Sequence, residues 1–347
     1  MTILITGGAG FIGANFVARW LASEAEPIVN LDKLTYAGNS QVLDRLRDPR
    51  HHFFRFDIGD AAGVTGLLHR FKPRAILHFA AESHVDRSIS GPAEFVETNI
   101  VGTFNLLESA RHYYASMAPD EAANFRFVHV STDEVYGELK NDEAPATETR
   151  AYAPNSPYSA SKASADHLVR AYHRTYGLPT LITHCTNNYG PFQYPEKLIP
   201  LVIERALAGQ PIPVYGSGHN VRDWLHVHDH CNALHIVLER GQVGHTYNIG
   251  ANEEVANIDL VSQICSLIDE LMPDPAQADR SKLITFVADR PGHDWRYALD
   301  SSKLRSQLGW KPKRRLAEGL RQTVVWFLAN RQWLSQNPRE SVHLDPL

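Results

Sequence analysis

The chain has 347 residues, with 34 Lys+Arg against 39 Asp+Glu for a formal net charge of −5, and is 43% hydrophobic and 21% charged. That balance excludes a disordered, collagen-like or low-complexity chain and leaves length for about two domains. No apolar run reaches the roughly 18 residues of a membrane-spanning helix, and no Lys/Arg block points to nucleic acid as the partner.

The apolar stretch Met1–Thr6 lacks a basic flank and a cleavage site, so a signal peptide is not expected. From there strands are expected at Ile3–Thr6, Ile28–Asp32, Phe53–Asp57, Ala75–Phe79, Phe127–Ser131 and Thr180–Thr183. Helical patterns alternate with them at Phe11–Ser23, Ala61–Phe71, Pro92–Ala115 and Pro157–Tyr176. Such alternation predicts parallel strands joined by crossover helices. A loop is expected over Asn187–Lys197, followed by helices near Leu198–Ala208, Asp229–Arg240, Ile258–Leu271 and Ala317–Ala329. From Arg331 to Leu347 the chain is polar and Pro-punctuated, the pattern of a surface tail. Cys185, Cys231 and Cys265 share no CxxC spacing and cannot all pair, which fits a reducing cytoplasm.

Between the first strand and the first helix stands Thr6-Gly7-Gly8-Ala9-Gly10-Phe11-Ile12-Gly13. Gly7 permits a tight strand-to-helix turn, Gly10 lets the backbone approach a pyrophosphate, and Gly13 lets the helix pack closely on the sheet. Asp32 ends the second strand, where a carboxylate accepts hydrogen bonds from an adenosine ribose and repels a ribose phosphate, favouring NAD. Lys33 beside it keeps an NADP reading open. Asp57-Ile58 after the third strand is placed to hold the adenine, and Ala80-Ala81-Glu82-Ser83-His84 after the fourth to line the nicotinamide side.

Tyr158 and Lys162 open a helix behind Ser156, a plausible cap, and Pro157. Their spacing puts phenol and ammonium on one helix face, and the ammonium is expected to lower the tyrosine pKa so that it can take a proton from a sugar hydroxyl. Thr132 lies at the same carboxyl edge, followed by Asp133 and Glu134. Two adjacent carboxylates can divide acid and base roles only past the end of the strand, because neighbours within a strand face opposite ways.

With its TGGAGFIG loop, its Thr-Tyr-Lys set and its Asn187-Asn188-Tyr189-Gly190-Pro191 segment, the chain resembles the extended short-chain dehydrogenase/reductase superfamily. Within it the chain is similar to the nucleotide-sugar 4,6-dehydratases, on Asp32–Asn39, Ala81–Ser88, Ser131–Gly137, Pro195–Pro200, Arg222-Asp223-Trp224 and Asp289–Asp294. The resemblance implies a Rossmann-type doubly wound sheet over residues 1–185, a smaller α/β substrate lobe over 186–330 from which some elements return to the sheet, and a likeness that ends before the tail at 331–347. It implies NAD as cofactor, dTDP-glucose as substrate, a homodimer, and an early step toward dTDP-rhamnose and other deoxysugars. Oxidation at sugar carbon 4 is followed by loss of water across carbons 5 and 6 and return of the hydride to carbon 6.

The roles implied are Tyr158 as base for the oxidation with Lys162 and Thr132 beside it, Asp133 as acid and Glu134 as base for the elimination. Cofactor contacts fall on Gly7, Gly10, Phe11, Ile12, Gly13, Asp32, Lys33, Leu34, Thr35, Asp57, Ile58, Ala80, Ala81, Glu82, Ser83, Thr98, Tyr158, Lys162 and Asn188. Substrate contacts fall on His84, Thr132, Asn187, Lys197, Leu198, Pro213, Val214, Tyr215, Arg222, Asn257, Asp289, Arg290, Pro291, Gly292 and His293. Arg222 and Arg290 suit a diphosphate as guanidinium forks. An epimerase or decarboxylase of the same superfamily shares the loop and the Tyr/Lys pair, and a silent NAD sensor shares the scaffold. Asp133-Glu134 argues against an epimerase, which expels no water, and the Tyr/Lys pair argues against a sensor. His226, His228 and His230 alternate as in a metal-binding strand, but no further ligand cluster accompanies them and no metal is expected. Phe192-Gln193-Tyr194, His184 and Trp295 depart from the family pattern.

Overall fold

The computed structural model describes residues 1–275 and 278–335. The chain alternates β1 (Ile3–Thr6), α1 (Phe11–Ser23), β2 (Ile28–Asp32), α2 (Ser40–Arg45), β3 (His51–Arg55), α3 (Ala61–Phe71) and β4 (Ala75–His78). It continues with α4 (Val85–Ser90), α5 (Pro92–Phe95), α6 (Thr103–Ala115), α7 (Pro119–Asn124), β5 (Arg126–Thr132), α8 (Pro157–Tyr176) and β6 (Thr180–Cys185). Seven parallel strands form one sheet in the order β10-β6-β5-β4-β1-β2-β3, with β10 being Thr246–Ile249. Helices cover both faces, so β1, β2 and β4 are buried at every position and read as unbroken apolar-rich runs rather than alternations. Strand order reverses between β1 and β4, which opens a crevice at the carboxyl ends of the strands.

A second group of elements caps that crevice: β7 (Asn187–Tyr189), α9 (Leu198–Leu207), β8 (Ile212–Tyr215), β9 (Val221–His226), α10 (Val227–Arg240), β11 (Glu254–Ala256), α11 (Asn257–Leu271) and β12 (Ile284–Val287). β9 lies between β7 and β11, and β8 pairs with β12. α12 (Ser302–Leu308), α13 (Leu316–Ala329) and α14 (Arg331–Ser335) follow. Asn15 in α1 donates to the Pro191 carbonyl at 2.9 Å, tying the glycine-loop helix to the segment after β7.

Three expectations are corrected. β3 begins two residues earlier than predicted, because its aromatic residues Phe53 and Phe54 lie at its centre. The helix expected over Pro92–Ala115 is interrupted by a wide π-type turn at Val96–Gly102. There Asn99 is buried and brackets Glu82, accepting from its N–H at 2.9 Å and donating to its carbonyl at 3.0 Å, so the bulge serves the crevice wall. The surface tail expected from Arg331 instead starts with α14, while residues 336–347 lie outside the described residues. Trp333 is 2% exposed, packs on Phe192 and Trp326, and donates from Nε1 to the Gln193 carbonyl at 3.0 Å. Burying an indole outweighs the polar residues around it. Trp333→Ala is expected to cost about 3–5 kcal/mol of stability, read by denaturant unfolding.

Candidate active site

The glycine loop is a cradle that side chains would fill. Gly7 has φ +72°, and a Cβ there would stand 2.6 Å from Ala80 N. A Cβ on Gly13 would stand 2.2 Å from the Gly7 carbonyl oxygen. Gly10 is the N-cap of α1 and no side chain caps the helix, which leaves its first N–H groups for an anion at the helix N-terminus. Gly13→Ala is expected to destabilise the fold by about 1–3 kcal/mol and to weaken dinucleotide binding at least about tenfold, read by thermal melting and by NAD titration.

Asp32 closes the cradle. Its Oδ2 accepts from Ala9 N at 2.9 Å and its Oδ1 from Leu34 N at 2.8 Å, while burial raises its pKa against those two bonds. Leu34 thus braces Asp32 through its backbone and does not itself line the cleft. Lys33 pairs with Asp57 at 2.7 Å, so the cation that kept an NADP reading open is already matched by a carboxylate. Gly10, Phe11, Ile12, Thr35, Ile58, Ala80, Ala81, Glu82, Ser83 and Thr98 line the same cleft. This set fits a dinucleotide: a glycine cradle without room for side chains, an open helix N-terminus and an acid at the end of β2.

The cleft continues to the end of β5. The strand stops at Thr132, and Asp133–Tyr136 forms a 3-10 turn, so Asp133 and Glu134 escape strand alternation and both line the cleft. Thr132 donates from Oγ1 to Asp133 Oδ1 at 3.2 Å and accepts from Glu134 N at 3.3 Å. Asp133 Oδ2 is buried and has no hydrogen-bond partner among the described residues. Burial, then the charge of Glu134, pushes the Asp133 carboxyl well above the usual carboxylate range. Burial also raises Glu134, but Arg290, Arg222 and Lys197 oppose it. Two neighbouring acids therefore have environments that differ, with the cations acting most on Glu134.

α8 is launched by a capping box in which Ser156 and Ser159 serve each other's backbone N–H, with Pro157 in the first turn. That fixes Tyr158 against Val85 and Phe95. Lys162, one turn on, donates from Nζ to the Val130 carbonyl at 2.9 Å. The expectation that Lys162 lowers the Tyr158 pKa is corrected here. Burial, aided by the charge of Glu134, pushes the phenol well above its ordinary value, because Lys162 turns toward β5. Burial also pushes Lys162 down to about 8.

Asn187, Asn188 and Lys197 line the cleft from the capping elements. Asn188 donates to the Thr186 carbonyl at 2.9 Å, and Lys197 donates from Nζ to the Ser83 carbonyl at 3.0 Å. Thr132 lines it too, while the remaining residues read as substrate contacts stand outside the lining of this cleft. Asp86 gathers two of them, accepting from Arg290 at 2.9 Å and from Tyr215 at 3.1 Å. His293 lies 2.6 Å from Asp289, and Gly292 has φ +64° in the turn with Pro291. His84 caps α4 with its Nδ1 facing Arg87 N at 3.4 Å. Val214 on β8 belongs to the core beside Pro213, and Leu198 starts α9 packed against that core. Asn257 starts α11, its Oδ1 buried without a partner among the described residues. Arg222 differs from the open fork expected: it is buried, donates to the carbonyls of Val221, Asp294 and Trp295, and stacks on Tyr297 at 4.5 Å.

Sequence reasoning missed Tyr297, Gln193 and Glu196. Tyr297 donates to Asp294 at 2.5 Å with Glu134 nearby, Gln193 donates to the Asn188 carbonyl at 2.9 Å, and Glu196 accepts from Tyr36 at 3.1 Å. Gln193 and Glu196 lay within segments already singled out, whereas Tyr297 carried no sequence signal. Among the described residues no group of three His, Cys, Asp or Glu could hold a metal ion, and no helix is long and apolar enough to cross a membrane.

A tyrosine and a lysine one helical turn apart, facing the carboxyl edge of a dinucleotide-type sheet, define the class as extended short-chain dehydrogenase/reductase. The family described as GDP-mannose 4,6 dehydratase matches residues 4–323. The dTDP-glucose 4,6-dehydratase of Salmonella typhimurium is 55% identical over 344 residues, covering 96% of this chain and 95% of that protein. The crystal structure of the dTDP-glucose 4,6-dehydratase of Streptomyces venezuelae with NAD and TYD bound has a TM-score of 0.88 at 46% identity, covering 97% of this chain and all of that one (100%). A UDP-glucose 4-epimerase from Thermotoga maritima, solved with UDP-glucose, is more distant, with a TM-score of 0.83 at 29% identity over 95% of this chain and 100% of its own. The chain belongs to the dTDP-glucose 4,6-dehydratase family.

Proposed function

We propose that the chain converts dTDP-glucose into dTDP-4-keto-6-deoxyglucose with NAD as a recycled cofactor. The observation that carries this reading is the pair Asp133 and Glu134, brought off the strand end beside Thr132 and Tyr158 in differing electrostatic surroundings. Gly7, Gly10 and Gly13 would hold the pyrophosphate, Asp32 the adenosine ribose, and Asp57 with Ile58 the adenine; the S. venezuelae relative, solved with NAD, supports that choice. When bound, NAD supplies the acceptor for the hydride of sugar carbon 4 and its donor to carbon 6.

Tyr158 takes the proton of the 4-hydroxyl as a phenolate, a form that burial disfavours and the positive charge of bound NAD would favour, with Thr132 holding that oxygen. The new ketone acidifies the proton on carbon 5, which Glu134 removes as carboxylate, helped into that form by Arg290, Arg222 and Lys197. Asp133, pushed by burial toward its protonated form, delivers its proton to the departing 6-hydroxyl. An epimerase needs no such donor. Residues 1–185 are read as the cofactor-binding part and 186–330 as mainly the substrate lobe, with Arg290, Tyr215 and His293 directed to the nucleotide sugar. A homodimer is supported by Val96 and Phe104, 46% and 43% exposed on consecutive segments of the α5–α6 region. The deciding experiment is mass spectrometry of dTDP-glucose and UDP-glucose incubated with the protein and catalytic NAD. Loss of one water from the dTDP sugar without net NADH is expected; an unchanged mass would overturn the reading.

A further inference from the structure

Beneath the catalytic edge a belt of buried polar side chains crosses the sheet, in the layer a doubly wound fold ordinarily fills with Val, Ile and Leu. Thr6 on β1 is in register with His78 on β4, His78 with His129 on β5, and His184 on β6 with Asn248 on β10. All five are buried. At its centre stands a carboxylate the proposed chemistry does not use. Asp166 on α8 is 1% exposed. Its Oδ2 accepts from Ser131 Oγ at 3.0 Å and lies 3.0 Å from His184 Nε2, and its Oδ1 lies 3.3 Å from His129 Nε2. His184, which departs from the family pattern, is held in turn by Tyr136 at 2.8 Å and Tyr152 at 3.1 Å.

The spacing of these residues matters. Tyr158, Lys162 and Asp166 follow one another at four-residue steps, so all three lie along one face of α8. Ser131 on β5 immediately precedes Thr132 and, past the strand end, Asp133 and Glu134. A buried carboxylate is costly unless it is engaged, and Oδ2 of this one is held by β5 and β6 at once, while Oδ1 faces His129 with no hydrogen-bond partner among the described residues.

We infer that Asp166 is a positioning residue that clamps the end of β5 and the turn after it, bearing Thr132, Asp133 and Glu134, to α8, bearing Tyr158 and Lys162. The expected effect on turnover rests on the dehydratase reading; the clamp itself does not. The groups facing Asp166 are His129 and Ser131 from β5, His184 from β6, Lys162 on its own helix, and Tyr152 from the segment before that helix, with Tyr136 behind His184. Burial holds His129 down to about 4, so it is neutral at pH 7. Burial presses the Lys162 ammonium toward its neutral form, and Asp166 opposes this more than the second contributor, Cys185.

Asp166→Asn removes the charge and keeps nearly the same shape. In dTDP-glucose turnover kcat is expected to fall about 10–100-fold, while KM and NAD affinity stay constant, because Asp166 does not line the cleft. The alkaline limb of the kcat profile moves to lower pH. A fall in melting temperature with kcat and its pH profile unmoved would overturn the inference. A second readout does not depend on activity: the Lys162 ammonium, followed by NMR in 15N-lysine protein and assigned with Lys162→Met, should titrate at lower pH in Asp166→Asn than in the parent. Titration at the same pH would overturn the charge effect even if dTDP-glucose proved not to be the substrate. Should Asp166→Asn fail to fold, Ser131→Ala tests the clamp alone, expected to lower kcat with KM and the alkaline limb unchanged; an unchanged kcat would overturn it.

Discussion

With Asp133→Asn and Glu134→Gln combined, the protein is expected to oxidise the sugar at carbon 4 and stop there. Neither amide can donate or accept the elimination proton, and each role is worth about 10²–10⁴-fold. Tyr158, Lys162 and the glycine cradle are untouched, so NAD binding and the first oxidation persist. Mass spectrometry of a stoichiometric reaction should therefore find a sugar that has lost two hydrogens and no water. The single variants should divide the effect. Asp133→Asn leaves a base without a proton donor for the leaving hydroxyl, and Glu134→Gln leaves the carbon 5 proton in place, which exchange of that position with deuterated solvent would report. Water loss at the parental rate in the double variant would remove these two residues from the elimination.

Tyr158→Phe is expected to act one step earlier and to remove oxidation itself, by about 10²–10⁴-fold in kcat. The ring keeps its contacts with Val85 and Phe95, so the fold should be preserved and the sugar-nucleotide KM little changed. No oxidised sugar should accumulate, in contrast to the carboxylate variants. The parent carries a linked pH signature. Lys162, pushed down to about 8 by burial, is an ammonium below that pH and in that form holds the Val130 carbonyl near the end of β5. Above it the ammonium is lost, so kcat should decline as pH rises past about 8. Lys162→Met should be slow throughout and lack that decline. A flat profile to well above pH 8 in the parent would show that Lys162 does not act through its charge.

Much of this arrangement could be read from the sequence because the physics is local. A glycine cradle requires absent side chains at fixed spacing, and three glycines declare that without reference to anything distant. Ser156 and Pro157 announce the start of α8, and helical geometry then places Lys162 and Asp166 one and two turns beyond Tyr158. The end of β5 was placed within one residue, which sufficed to put Thr132 at the carboxyl edge.

What the sequence left open are properties of neighbours far along the chain. Whether Asp133 and Glu134 could share a cleft depended on a 3-10 turn replacing the strand just after Thr132, and their differing environments depend on Arg222, Arg290 and Lys197 arriving from the capping elements. Local helical spacing predicts an ammonium beside a phenol, yet the tertiary structure turns Lys162 onto the Val130 carbonyl and lets desolvation dominate Tyr158. Arg222 was read as a fork on a diphosphate because the carbonyls of Asp294 and Trp295 that it holds lie 72 and 73 residues further along the chain. Trp333 looked like part of a polar tail because the aromatic pocket made by Phe192 and Trp326 exists only once α13 has packed. The parallel sheet and the dinucleotide cradle were legible along the chain because periodicity, glycine spacing and helical pitch are short-range. Only the tertiary structure decided which of the reacting groups are charged, desolvated or already bonded, because burial and Coulomb energies are sums over residues that folding alone brings together.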